Sequence, residues 1–223
     1  MTPKNKPRIY ITLHARGRNS VGEKRTRLKH SAYHWGILIS PKEQQQQQRR
    51  NKDQRYTIPE NTPALPVHTH FDVTDSLYID VDGQAKENWR YRERNSTDPV
   101  LDFRILARVL VGKVHFSSSP LSIGSRFRCG YEAGTEIVRE KLSAIPVPCP
   151  RGEVGVKGTP ENCVTWTKDA IRVLKDIGVV GLQESSRFDL EVFMDAALEF
   201  ADECLRRGDI GGVLDYRAGT NLE

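Results

Sequence analysis

The spacing of apolar residues changes partway along the chain, and this change constrains the fold more than any other feature. In the first half they alternate. Ile9-Tyr10-Ile11-Thr12-Leu13 has period two, and Tyr33-His34-Trp35-Gly36-Ile37-Leu38-Ile39 is denser and so expected near the middle of a sheet. Phe71–Thr74, Leu77–Val81 and Trp89–Arg92 predict further short strands. Ile105–Val114 is the strongest strand pattern in the middle of the chain, although its start is also compatible with helix. Gly17–Lys29 is predicted to be a polar loop.

Beyond Thr135 the spacing becomes helical. One short helix carries Ile137, Val138, Leu142 and Ile145, and an irregular stretch with Pro146, Pro148, Pro150 and glycines through Gly158 follows it. The next helix has a good start, with Thr159 as N-cap, Pro160 in the first position and Glu161 in the first turn. Its apolar stripe is Cys163, Trp166, Ala170, Ile171, Leu174 and Ile177, and Gly178 closes it. A last helix, with the capping pair Ser186 and Asp189, carries Leu190, Phe193, Ala197, Ala201 and Cys204 and ends at Gly208. A β half followed by an α half predicts an α+β fold, with helices packed on an antiparallel sheet. No linker divides residues 1–223, so one domain is expected. The glutamine run Gln44–Gln48 and its charged flanks, residues 42–55, have nothing to bury and predict a disordered loop.

The 223 residues are 37% hydrophobic and 28% charged, as in a water-soluble globular protein, and no apolar run is long enough to cross a bilayer. The basic start runs directly into a strand pattern, so no signal peptide is predicted and a cytoplasmic location is expected. In a reducing compartment the four cysteines, which form no CxxC pair, are read one by one. The net charge of +5 concentrates in two clusters, Arg16–Lys29 and Arg49–Arg55. No zinc-finger, helix-turn-helix or aromatic RNA-binding signature accompanies them, so solvated loops are expected rather than a nucleic-acid surface. Residues Gly152–Gly158 lack the lysine–serine ending of a phosphate loop, and no cofactor is predicted.

Two residue types then stand out. Cys163 falls in the first turns of a helix, where unpaired N–H groups and the macrodipole favour a thiolate. Cys204 lies deep on an apolar stripe, Cys149 sits between two prolines, and Cys129 is flanked by glycine. His34 is the lone polar group on an otherwise apolar strand and must find a partner. A third group is needed to orient such an imidazole. If residues 67–73 are extended, His68, His70 and Asp72 share one face, and either Asp72 or His70 can serve. A zinc site from His34, His68, His70 and Cys163 matches no standard spacing.

Tyr33-His34-Trp35-Gly36-Ile37-Leu38-Ile39, followed much later by Asn162-Cys163-Val164-Thr165-Trp166, resembles the two boxes of lecithin:retinol acyltransferase-like proteins. Those belong to the circularly permuted papain-like thiol enzymes. The resemblance implies a permuted papain-like fold, Cys163 as nucleophile and His34 as base. The usual second histidine of that pattern is replaced here at or near Asp72, with His70 two residues earlier. Over nearly its whole length the chain also resembles a group of uncharacterised fungal proteins. The shared landmarks are Asn5–Tyr10, Tyr33–Trp35, Ser40–Lys42, Trp89–Tyr91, Val109–Val114 and Asn162–Trp166. The expected activity is acyl hydrolysis or transfer on an amide, isopeptide, ester or thioester, with substrate and oligomeric state left open. The competing reading is a non-catalytic binding module on the same fold, meeting nucleic acid or an acidic partner through its basic loops.

Overall fold

The computed structural model describes residues 6–42, 66–79, 81–114, 130–149, 161–182 and 188–216. Strand β1 (Arg8–Ala15) turns its odd-numbered residues Ile9, Ile11 and Leu13 into the core and Tyr10, Thr12 and His14 to the opposite face. Strand β2 (Tyr33–Ser40) does likewise, with Tyr33, Trp35, Ile37 and Ile39 inward. Between them the expected polar loop is instead helical: a 3-10 turn at Gly17–Ser20, helix α1 (Gly22–Leu28) and a second 3-10 turn at Lys29–Ala32. Its charged residues are adequate helix formers, and Arg25 anchors the segment through Asp202.

The predicted short strands from Phe71 to Arg92 join into one long hairpin, β3 (His68–Ile79) and β4 (Ala85–Ser96). The two pair along their full length, well past the point where β3 leaves β2. Periodicity missed this continuity because the outer half of the hairpin has no buried face: Leu77 and Ile79 are exposed. A short helix α2 (Pro99–Asp102) then leads into β5 (Ala107–Val114).

Helix α3 (Gly130–Ser143) begins five residues earlier than predicted. Helix α4 (Cys163–Asp176) begins later: Asn162 is the N-cap and Cys163 the first helical residue. The predicted cap Thr159 and Pro160 lie outside the described residues. Asn162 accepts from the N–H groups of Val164 and Thr165, and Thr165 Oγ1 accepts in return from the Asn162 N–H. The short β6 (Val179–Val180) precedes α5 (Leu190–Arg207), for which Asp189, not Ser186, is the N-cap; Ser186 is outside the described residues. Gly208 closes α5 at φ 72° as expected, and β7 (Gly212–Asp215) follows. The predicted loop at 42–55 also lies outside the described residues, save Lys42.

The sheet order is β4-β3-β2-β1-β5, with β6 and β7 both on the outer side of β5. Neighbours are antiparallel except β5 and β7, which are parallel. The sheet is therefore mixed rather than purely antiparallel, because helix α5 returns the chain to the end from which β5 started. The class is α+β, as predicted. Trp166, Ala170, Ile171 and Leu174 of α4 and Phe193, Ala197 and Ala201 of α5 pack on the inward sheet residues, joined by Val138 and Leu142 of α3. Each such large side chain contributes about 1.5–3 kcal/mol by leaving water. A smaller cluster, Tyr10, Leu38, Phe103, Ile105 and Leu110, lies on the opposite face. That face is otherwise polar.

Asp189 holds the first turn of α5 by accepting from the N–H groups of Glu191 (2.8 Å) and Val192 (3.2 Å). Asp189→Ala is expected to lower stability by about 1 kcal/mol. In urea denaturation this appears as a lower midpoint with an unchanged slope.

Candidate active site

Strands β2 and β3 pair only from Gly36–Ile39 to Asp72–Thr69. Before Gly36, β2 runs on with β1, while beyond Asp72 β3 runs on with β4 alone. The two strands part at this point, and α4 packs against both of them. His34 lies on β2 at the parting, with a side chain 21% exposed. Its Nε2 donates to Asp72 Oδ2 at 2.9 Å. Cys163, at the start of α4 and 2% exposed, lies near enough to the same imidazole to favour its charged form. With Nε2 held by Asp72, Nδ1 is the nitrogen left for the thiol.

Asp72 is fully buried and accepts from the side chains of His34, Arg92 and Arg94. Arg92 approaches it bidentately, Nε to Oδ1 at 2.9 Å and Nη2 to Oδ2 at 2.6 Å, and Arg94 Nη2 reaches Oδ2 at 3.2 Å. Burial pushes the Asp72 carboxyl up, but hydrogen bonds from His34 and Arg92 outweigh it and hold the group well below the usual carboxylate range. For His34, burial opposes the charge, and the bond to Asp72 together with the neighbouring Cys163 outweighs that too, raising its pKa to about 9. The imidazolium is thus the favoured form at neutral pH.

His70 occupies a second layer. It is fully buried and makes no hydrogen bond to His34; its Nδ1 is 3.9 Å from Asp72 Oδ2 and accepts from Arg94 Nη2 at 3.4 Å. Its Nε2 lies 3.0 Å from Thr12 Oγ1 and 3.3 Å from His14 Nε2. His14 Nδ1 donates to the Phe103 carbonyl at 2.9 Å. Burial keeps both rings neutral, lowering His14 to about 3 and His70 well below its ordinary value. His68 points away from this group, with Nδ1 2.8 Å from Ser40 Oγ.

The structure therefore brings Cys163, His34 and Asp72 together and sets His70 behind them. Sequence reasoning overlooked Thr12, His14, Arg92 and Arg94. Alternation sets Thr12 and His14 on the polar face of β1, but only strand pairing puts them, and Arg92 and Arg94 of β4, on the face of His34. Among the described residues no group of histidines, cysteines and carboxylates is arranged to hold a metal ion. In the first basic cluster, Arg25 pairs with Asp202 and Arg16 donates to the Ser31 carbonyl. Arg49, Arg50, Lys52 and Arg55 lie outside the described residues.

Gly36 makes room for the second layer. A Cβ there would lie 2.7 Å from His70 Nε2 and 3.0 Å from the Phe71 carbonyl oxygen. Gly36→Ala is expected to cost about 1–3 kcal/mol of stability. In a His70→Ala background the same change should cost less by about 1 kcal/mol, measured as a double-mutant cycle in urea.

No curated protein and no solved structure matches the chain significantly. One family model matches residues 6–123, a span that holds His34, Asp72, Arg92 and Arg94 but ends before Cys163. That span is more than half of the sequence, and the chain belongs to this family of unknown function, DUF6914.

Proposed function

We propose that this protein is a cysteine-dependent acyl hydrolase or acyltransferase, built on a permuted papain-like arrangement of one domain. The observation that carries the reading is the His34 ring, bonded through Nε2 to a buried, ionised Asp72 and close enough to the Cys163 thiol for that group to favour its charged form. A nucleophile, a base and an orienter in that order are what acyl transfer through a thioester requires.

In this mechanism the Cys163 thiolate attacks the carbonyl carbon of an amide, isopeptide, ester or thioester. Negative charge develops on the carbonyl oxygen. The Asn162 side chain caps Val164 and Thr165 and leaves the Cys163 N–H out of the cap, so this amide is the donor available to the oxyanion. As the intermediate collapses, the bond to the leaving group breaks and the His34 imidazolium supplies its proton. The neutral imidazole then takes a proton from water or an acceptor nucleophile, which attacks the thioester and frees Cys163 as thiolate. Asp72 fixes the ring and stabilises its cationic form without being protonated.

A cytoplasmic setting agrees with free thiols at Cys149, Cys163 and Cys204. No helix among the described residues is long and apolar enough to cross a membrane. One observation favours the non-catalytic alternative, in which Cys163 is only a packed core residue: the side chain is 2% exposed. Reactivity separates the two. At pH 6.5 an ordinary thiol is only about one part in a hundred thiolate. Cys163 is expected to be alkylated by iodoacetamide at that pH far faster than Cys149 or Cys204, read by peptide mass spectrometry. His34→Ala should slow it by up to about 100-fold. Slow labelling that ignores His34 would leave the binding module as the function.

A further inference from the structure

We propose that Arg94 is a positioning residue that acts through Asp72 and keeps the His34 imidazole free to take a proton from the second nucleophile once Cys163 is acylated. This rests on the thiol–imidazole reading above and gives one further residue a part in it.

The first support is the crowding at one oxygen. Asp72 Oδ2 accepts from His34 Nε2 at 2.9 Å, Arg92 Nη2 at 2.6 Å and Arg94 Nη2 at 3.2 Å, while Arg92 Nε donates to Oδ1. A carboxylate oxygen has two lone pairs, so three donors exceed its capacity. Arg92 spans both oxygens and by itself fixes the plane of the carboxylate. Arg94 is surplus to that task and competes with the imidazolium for the same oxygen.

The second is how Arg94 is held. Its guanidinium carbon lies 4.6 Å from the centre of the Phe103 ring, and Nη2 also donates to His70 Nδ1 at 3.4 Å. Its buried Nε has no hydrogen-bond partner among the described residues. Burial makes its charge less favourable than in water, and Asp72 offsets this only in part. An arginine needed only to neutralise Asp72 would gain more from a bidentate grip like that of Arg92.

The third is the balance of charge around the ring. The titratable and charged groups facing His34 are Cys163 of α4, Asp72 and His70 of β3, His14 of β1 and, across Asp72, Arg92 and Arg94 of β4. Burial keeps His14 and His70 neutral. Before acylation, Asp72 and Cys163 both favour the imidazolium. Forming the thioester removes the thiolate, so the ring then answers to Asp72 and the cations on it. In deacylation the neutral imidazole takes the proton of water or an acceptor, whose oxygen or nitrogen bonds to the carbonyl carbon. The C–S bond breaks with its electron pair on Cys163 Sγ. A ring that stayed cationic could not begin this step, and a base serves best when its pKa lies near the working pH. Arg94, one carboxylate oxygen away from Nε2, weakens the hold of Asp72 on the cation and brings the ring toward that range.

Cys163→Ala removes the thiolate as acylation does, and proton NMR follows His34 there with no activity needed. Adding Arg94→Gln should raise the His34 titration by about one pH unit over Cys163→Ala, a tenfold rise in proton affinity. Adding Arg94→Lys instead, which keeps the charge, should restore most of the difference. A side chain that only braced the fold would not separate charge from shape in this way.

Should the glutamine variant fail to fold, Arg94→Met, which keeps an apolar stem against Phe103, carries the same prediction. A titration that ignores the loss of the Arg94 charge, or falls with it, would overturn the role of Arg94. The thiol–imidazole pair would still stand if His34 in the unaltered protein titrates near pH 9. A His34 that titrates near the ordinary value of about 6.5 in the unaltered protein would overturn both.

Discussion

The structure turns on the burial of one carboxylate. Asp72 has no exposed surface, and an uncompensated charge there would cost several kcal/mol. The chain meets this with donors from two neighbouring strands, His34 on β2 and Arg92 and Arg94 on β4. Register makes this possible, because Asp72 pairs with Gly36 on one side and Arg92 on the other. A one-residue slip of β3 would send Asp72 into the apolar core and Phe71 out of it. The site and the strand alignment are therefore fixed by the same residues.

The second layer follows from the first. Beneath Asp72 the sheet presents Thr12, His14 and His70, three polar side chains that burial keeps uncharged. Each finds a partner within the group or at the Phe103 carbonyl. A further cation there would compete with His34 for Asp72, whereas neutral rings leave the carboxylate to the imidazolium and the two arginines. The space for His70 exists because position 36 has no side chain. A glycine in the interior of a strand, costly for the strand itself, is explained by the His70 ring packed over it.

Much of this was legible in the sequence, and the parts that were not have physical causes. The strand around His34, the helix behind Cys163 and the last helix from Leu190 to Gly208 each carry a buried stripe, which is the signal periodicity reads. Helix α1 and the outer half of the β3–β4 hairpin bury little of their own, so their form depends on contacts such as Arg25 with Asp202 and on the ladder itself. The choice between Asp72 and His70 as partner of His34 could not be made from alternation, since both occupy the same face. Strand pairing decides which is adjacent: Asp72 lies across from Gly36, two residues from His34, and His70 across from Leu38. Thr12, His14, Arg92 and Arg94 were overlooked because each lies on a different strand from the residue it serves.

The most direct test of the account follows the His34 imidazole itself, by proton NMR titration of the unaltered protein and of Cys163→Ala. The account predicts that His34 stays protonated through neutral pH and releases its proton near pH 9, where Asp72 and Cys163 together place it. Removing the thiol should shift that titration toward the ordinary histidine range of about 6.5. A His34 resonance that titrates near 6.5 in the unaltered protein, or one that ignores the loss of Cys163, would contradict the paired thiol and imidazole on which the proposed chemistry depends.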